Sequence, residues 1–235
     1  MAAASSQAGG GGGYSVSNSV ILNQPDDAYF ERTFGTPTDN KKWTYSTWVK
    51  RGKLSDDMTF GLGCVVSSSG SKAAYMNFGP SNADSLHFYN EYYSGTGSTG
   101  NITSNNLLRD PHAWYHVVMI YDSNNDVTTE RMKLFCNGQL VSNNGTATYP
   151  TDGTQPPTNS AAVHQLGKVS TIYNFDGYLA ECVFCDGQAY GPENFGEYDS
   201  NGVWRPLDPS GLTFGANGFY LNFDDSSDLG NDSSG

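Results

Sequence analysis

The chain has 235 residues with only 15% charged, 13% aromatic, 28 glycines and a formal charge of −12. That acidic balance excludes a nucleic-acid groove, because phosphate contact needs clustered Lys and Arg, and here the only short basic runs are Lys41-Lys42 and Lys50-Arg51-Gly52-Lys53. No apolar run is long enough for a membrane-spanning helix, and scarce charge with many Gly, Ser, Thr, Asn and Tyr is the composition of a single β domain with long polar loops.

Residues 1–13 are dominated by Ala, Ser and Gly and have neither a positive charge nor an apolar centre. They read as a flexible arm rather than a secretory signal. Residues 14–22 read as a first strand, 23–27 as a turn and 28–32 as a short strand. Residues 43–50 alternate between two faces, and 58–66 form an apolar strand with Gly61 and Gly63 inside it. Residues 75–78 and 86–89 make a hairpin pair, and 92–106, poor in apolar anchors, is a mobile or binding loop. The organising stretch is 114–122: Trp114, His116, Val118 and Ile120 share one face, and Tyr115, Val117, Met119 and Tyr121 the other. A strand apolar on both faces must be covered on both. Residues 132–135 are the next strand. Asn137-Gly138 then predicts a two-residue hairpin turn, because both central positions need positive φ. Residues 143–160 are polar loop, and 163–167 a strand. Residues 173–185 are the last strong strand, with Tyr178, Ala180, Cys182 and Phe184 on one face and Leu179, Glu181, Val183 and Cys185 on the other. Residues 188–198 hold the one expected helical turn, 218–223 a closing strand and 224–235 a polar tail. About a dozen short strands with turn signals between them predict an all-β, antiparallel two-sheet sandwich over residues 14–223.

The chemistry-bearing residues are sparse. Cys182-Val183-Phe184-Cys185 spells CxxC, but residues three apart on a strand face opposite ways and cannot chelate one zinc. With Cys64 and Cys136, they read as small, buried, reduced side chains. His87, His112, His116 and His164 show no metal-binding spacing, and no nucleophile elbow, P-loop or dinucleotide fingerprint occurs. Glu181 is the only carboxylate inside a strong strand; alone it cannot divide acid and base roles, so it is expected buried or paired. Sugar recognition needs flat aromatic faces and short polar side chains. Tyr89, Asn90, Tyr92 and Tyr93, with Glu91, offer these beside the Gly/Ser/Thr loop, the competing reading being tyrosines packed under that loop.

Four pieces fall in order: Trp43-Thr44-Tyr45-Ser46-Thr47-Trp48-Val49-Lys50, Trp114-Tyr115-His116-Val117-Val118, Lys133-Leu134-Phe135-Cys136-Asn137-Gly138 and Phe175-Asp176-Gly177-Tyr178-Leu179-Ala180-Glu181-Cys182. In this the chain resembles concanavalin A-like, laminin-G-like jelly-roll domains, which implies a jelly-roll sandwich. A narrower likeness, to modules of bacteriophage and large-virus structural proteins, rests on Ala28-Tyr29-Phe30-Glu31-Arg32-Thr33-Phe34-Gly35, Trp48-Val49-Lys50-Arg51-Gly52, Arg109-Asp110-Pro111-His112-Ala113-Trp114-Tyr115-His116, Phe175-Asp176-Gly177-Tyr178, Asn201-Gly202-Val203-Trp204 and Gly218-Phe219-Tyr220-Leu221. It implies a non-catalytic fibre, tail or capsid-decorating module, assembled in the host cytoplasm and carried on the extracellular virion. Its partners would be other virion proteins, copies of itself and host glycans, with no nucleic acid and no membrane insertion. The alternative is a calcium-assisted lectin-like domain. Some members of the resembling family bind calcium at the sandwich rim, and Asp26, Asp27 and Asp176 are the candidates here. An endoglycanase is disfavoured: laminarinase-type members carry E-x-D-x-x-E, and the nearest spelling, Glu197-Tyr198-Asp199-Ser200-Asn201-Gly202, ends in glycine and reads as loop.

Overall fold

The computed structural model describes residues 13–54, 58–67, 71–79, 84–91, 99–143, 145–169, 171 and 173–235. In chain order the strands are β1 (Val20–Leu22), β2 (Phe30–Thr33), β3 (Lys42–Arg51), β4 (Met58–Thr59), β5 (Leu62–Ser67), β6 (Ser71–Phe78), β7 (Ser85–Asn90) and β8 (Gly100–Leu107). They continue as β9 (Tyr115–Asp122), β10 (Met132–Cys136), β11 (Gln139–Leu140), β12 (Val163–Leu166), β13 (Gly177–Asp186), β14 (Gly196–Tyr198), β15 (Trp204–Pro206) and β16 (Phe219–Leu221). Two 7-stranded antiparallel sheets result. One runs β1-β13-β3-β9-β10-β11 with β16 also on β13; the other runs β2-β12-β5-β6-β7-β8 with β4 on β6. This is the expected all-β sandwich. Among the described residues no helix is long and apolar enough to cross a membrane.

Alternation explains the layers. Trp43, Tyr45 and Val49 of β3 and Val117, Met119 and Tyr121 of β9 point inward, against Met76, Phe78, Leu86 and Phe88 of the facing sheet. Trp43 stacks on Tyr121 at 5.5 Å and meets Phe88 edge-on at 5.6 Å. Burying each such ring contributes about 1.5–3 kcal/mol relative to leaving it exposed. The opposite face of β9 is covered too: Val118 and Ile120 pack with Val183, Cys185, Phe195, Phe214 and Tyr220 in a second apolar cluster. The Asn137-Gly138 turn has φ of 48° and 78° and joins β10 to β11 as its composition requires.

Several elements differ from expectation. The first strand starts at Val20 rather than residue 14. Helical turns occur at Gln24–Asp26 and Thr128–Glu130 as well as at Pro192–Asn194. Residues 100–106, expected as loop, belong to β8, where Ile102 anchors the inner face and the polar residues pair with β7. Tertiary pairing has overridden weak strand propensity there. Residues 197–198, also expected as loop, form β14. The tail is docked: Ser233 N–H donates to Tyr220 O at 2.8 Å, and Asp232 Oδ1 accepts from Tyr220 N–H at 3.0 Å.

The largest correction lies in β13. Its register shifts between Ala180 and Val183, with Glu181 at φ 50°. Leu179, Cys182 and Phe184 all reach the inner core, so strict alternation across the strand fails. One extra residue in a bulge turns everything after it to the other face.

Candidate functional site

The second sheet presents two rows of side chains on its outward face. Met76, Phe88 and Ile102 point into the core, so their neighbours point out. Register aligns Tyr75 with Tyr89 and Tyr89 with Asn101; the next row is Asn77, His87 and Thr103. The Tyr75 and Tyr89 rings stack at 5.0 Å and 24°. Tyr173, from the connection ahead of β13, extends the row, its ring 6.4 Å from Tyr75. Tyr173 has a left-handed backbone, φ 59°, held where its carbonyl accepts Thr59 N–H at 2.7 Å. A bulky residue in this conformation costs about 1–3 kcal/mol, and such strain clusters at functional positions.

The floor beside the rings is polar and largely buried. His87 is buried, its Nδ1 2.8 Å from Asn77 Oδ1 and its Nε2 3.1 Å from Asn101 Oδ1. Burial lowers its pKa to about 4, so the ring is neutral with a single N–H. One amide must therefore turn its NH2 to the imidazole. Thr103 Oγ1 also donates to Asn101 Oδ1, at 3.5 Å, which favours Nε2–H donating to Asn101 and Asn77 donating to Nδ1. Glu91 Oε2 accepts Ala73 N–H at 3.0 Å, beside Tyr89, whose hydroxyl burial and Glu91 push up in pKa. Ring faces flanked by an amide and a carboxylate can stack on a sugar ring and bond its hydroxyls.

Of the residues expected to bind ligand, Tyr89 lies in this row. Asn90 does not: alternation turns it inward, where it is buried and its Oδ1 accepts Thr158 Oγ1–H at 3.1 Å. Tyr92 and Tyr93 lie outside the described residues. Tyr75, Asn101 and Tyr173 were not singled out from sequence. Period-2 spacing from Tyr89 with the hairpin register would have found Tyr75, but nothing in the sequence marks Tyr173. The acidic candidates do not converge. Asp27 takes Lys168 Nζ at 2.6 and 2.8 Å and Asn174 Nδ2 at 2.5 Å, and the ammonium holds its carboxyl below the usual range. Asp26 accepts from Asn23 Nδ2 at 2.6 Å, and the Asp176 carboxylate abuts Gly52. Among the described residues no three His, Cys, Asp or Glu side chains group as metal ligands.

Several other groups of catalytic type among the described residues are internally engaged. Trp204 Nε1–H donates to His116 Nδ1 at 3.0 Å, so Nε2–H faces Ser46 Oγ at 2.9 Å. Burial lowers the His116 pKa to about 3. With its lone pair taken by the indole, that imidazole cannot act as a base toward Ser46. Asp199 caps a turn, accepting from Asn201 and Val203 N–H and from Arg205 Nε. Cys182 and Cys185 lie in opposite core layers as the spacing requires, and burial pushes both thiols up to about 12.

Glu181 is paired, as its isolation in a strand suggests. Its Oε2 accepts Tyr220 O–H at 2.5 Å and Tyr14 O–H at 2.9 Å, and the two hydroxyls lie 2.8 Å apart. Burial raises its pKa more than the phenols lower it. A carboxyl raised in the folded state contributes stability below its unfolded pKa of about 4.3 and loses it as pH rises through the folded value. The lowered histidines act oppositely, losing stability as pH falls below about 6.5, so only a difference measurement isolates Glu181. Urea denaturation from pH 4 to 8 is expected to show Glu181→Gln gaining on the wild type as pH rises; parallel curves would refute the assignment.

The family model for the concanavalin A-like lectin/glucanases superfamily matches residues 24–188. The chain therefore belongs to that superfamily. Among solved structures, a candidate carbohydrate-binding protein from Bacteroides ovatus superposes with a TM-score of 0.54 at 17% identity, covering 84% of this chain and 49% of that one. The chain thus spans about half the length of the Bacteroides protein. A SAP-like pentraxin from Limulus polyphemus gives a TM-score of 0.46 at 12% identity, covering 73% and 76%. The Ruminococcus gnavus IT-sialidase CBM40 gives 0.43 at 15%, covering 70% and 92%. No curated protein matches the sequence.

Proposed function

We propose that the chain is a non-catalytic glycan-binding module whose ligand lies along Tyr173, Tyr75 and Tyr89. The observation that carries this reading is the row itself: two stacked rings on an outward sheet face with a third beside them from the adjoining connection, in strained backbone. The Bacteroides protein of the same fold, a candidate for carbohydrate binding, supports it. A broad glycan array followed by titration of the best ligand tests it. Tyr75→Ala and Tyr173→Ala are each expected to weaken binding about tenfold, the scale of one lost aromatic contact. Silence across the array, or full affinity in both variants, would refute the site. EDTA separates this reading from the calcium-assisted one. Binding that survives chelation is expected, because both Asp27 oxygens are already taken by Lys168 and Asn174.

Placement of the module on a virus particle rests on the sequence segments quoted above; neither the family match nor the compared structures support it. On a particle, many copies would compensate for weak single sites. Mass spectrometry of purified native particles decides it: the chain among the stoichiometric proteins is the expected result, and its absence removes that part of the proposal.

A further inference from the structure

A cavity of about 390 Å³ opens where the two sheets part, between β2 and β12 on one side and β16 on the other. Its walls are Phe30, Phe34, Leu62, Leu166, Phe219 and Leu221. Small-molecule sites begin at about 300 Å³. His164 closes one side without offering a polar contact. Its Nε2 accepts Asn159 N–H at 3.1 Å, its Nδ1–H donates to Ala162 O at 3.0 Å, and its ring lies 4.0 Å from that of Phe34. The body of an occupant must therefore be apolar.

The mouth is different. Arg32 lines it, and its Nη1 donates to Gly218 O at 3.2 Å and to Asp232 Oδ2 at 3.1 Å. Both bonds use one nitrogen, so the other N–H groups of the fork have no acceptor among the described residues, while the guanidinium lies 5.8 Å from the centre of the Phe34 ring. The mouth thus already holds a carboxylate, supplied by the docked tail. Leu229 of that tail is 38% exposed and does not fill the cavity. We propose that this inter-sheet mouth is a ligand site for a free medium-chain carboxylate, with residues 228–233 as its lid. The alkyl chain lies among the phenylalanines and leucines, and the head displaces Asp232 from Arg32. Exchange of one carboxylate for another leaves the local charge unchanged, whereas adding an anion beside Glu31 and Asp232 would not. An uncharged chain of equal length gains only the apolar contact.

Calorimetric titration with decanoate and with decanol tests this. Decanoate is expected to bind saturably, one per chain, and at least tenfold more tightly than decanol. Asp232→Asn removes the competing charge but keeps an oxygen for Tyr220 N–H, so it is expected to tighten decanoate about tenfold. Arg32→Gln is expected to weaken it by a similar factor, since charge-assisted bonds are the strong ones. Leu166→Trp, which fills the cavity, should abolish binding of both. The two mouth variants are half-exposed and keep the test decisive if Leu166→Trp does not fold. Amide exchange at residues 228–233 should speed up when decanoate binds. Absence of saturable binding, equal affinity for decanol, or unchanged affinity in Asp232→Asn would each overturn the proposal, as would binding to phosphatidylglycerol vesicles without binding of free decanoate. Tyr75→Ala is expected to leave decanoate affinity unchanged, which separates this site from the tyrosine row.

Discussion

Asp186→Ala is expected to cost at least about 4 kcal/mol of folding stability, or to prevent folding. Asp186 closes β13 and is fully buried. Its Oδ2 accepts Thr38 N–H at 2.6 Å and Asn217 N–H at 3.1 Å, and its Oδ1 accepts Asp39 N–H at 3.1 Å and Asn159 Nδ2–H at 2.7 Å. One carboxylate thus ties three separate connections to the end of a core strand. Alanine leaves four donors without an acceptor, and each buried, unsatisfied donor costs about 1–3 kcal/mol. Asparagine keeps the shape but does not rescue the site. Whichever way its amide turns, an NH2 group faces two donors, so a loss of about 2 kcal/mol or more is expected. Urea denaturation of both variants checks this; stabilities within 1 kcal/mol of the wild type, on the scale of an ordinary surface change, would show that the hub carries little.

Asp84→Ala is expected to cost about 3–5 kcal/mol, because it removes the carboxylate paired with a buried cation. The Arg51 side chain is 0% exposed and that of Asp84 4%. Arg51 Nη1 donates to Asp84 Oδ1 at 2.9 Å and to Leu108 O at 2.8 Å, and its guanidinium lies 4.3 Å from the centre of the Phe78 ring. Burial pulls the Arg51 pKa down and Asp84 pulls it back up. Arg109 Nε also donates to Asp84, at 2.7 Å, but its side chain is 59% exposed. Arg109→Ala is therefore expected to cost under about 1 kcal/mol. The double change Arg51→Met with Asp84→Leu should recover most of the loss, since apolar replacements of similar size commonly match a buried pair. Thermal melts of these three variants beside the wild type make the comparison. A single Asp84→Ala no worse than Arg109→Ala would show that the buried charge finds another partner.

Arg51 marks a limit of sequence reading. In Lys50-Arg51-Gly52-Lys53 it looks like one of a local group of surface cations. Alternation in β3 sends it inward, where Asp84, distant in sequence, supplies the opposite charge. The proposed glycan site was legible to a similar degree. Tyr89 was recognisable as an aromatic beside short polar residues, but its outward neighbours come from β6, β8 and the connection ahead of β13. Asn90, adjacent in sequence, went to the wrong face.

The chain alone determined that it is an all-β sandwich, that β9 is covered on both sides and that β10 turns at Asn137-Gly138. Those features follow from periodicity and from backbone conformations only certain residues adopt, both local properties. Tertiary structure alone decided the bulge at Glu181, the strand identity of residues 100–106, the tyrosine row and the docking of the tail on Tyr220. Each depends on which residues far apart in sequence come to share a ladder or a face. Local propensities there are too weak to make that choice before the sheets pair.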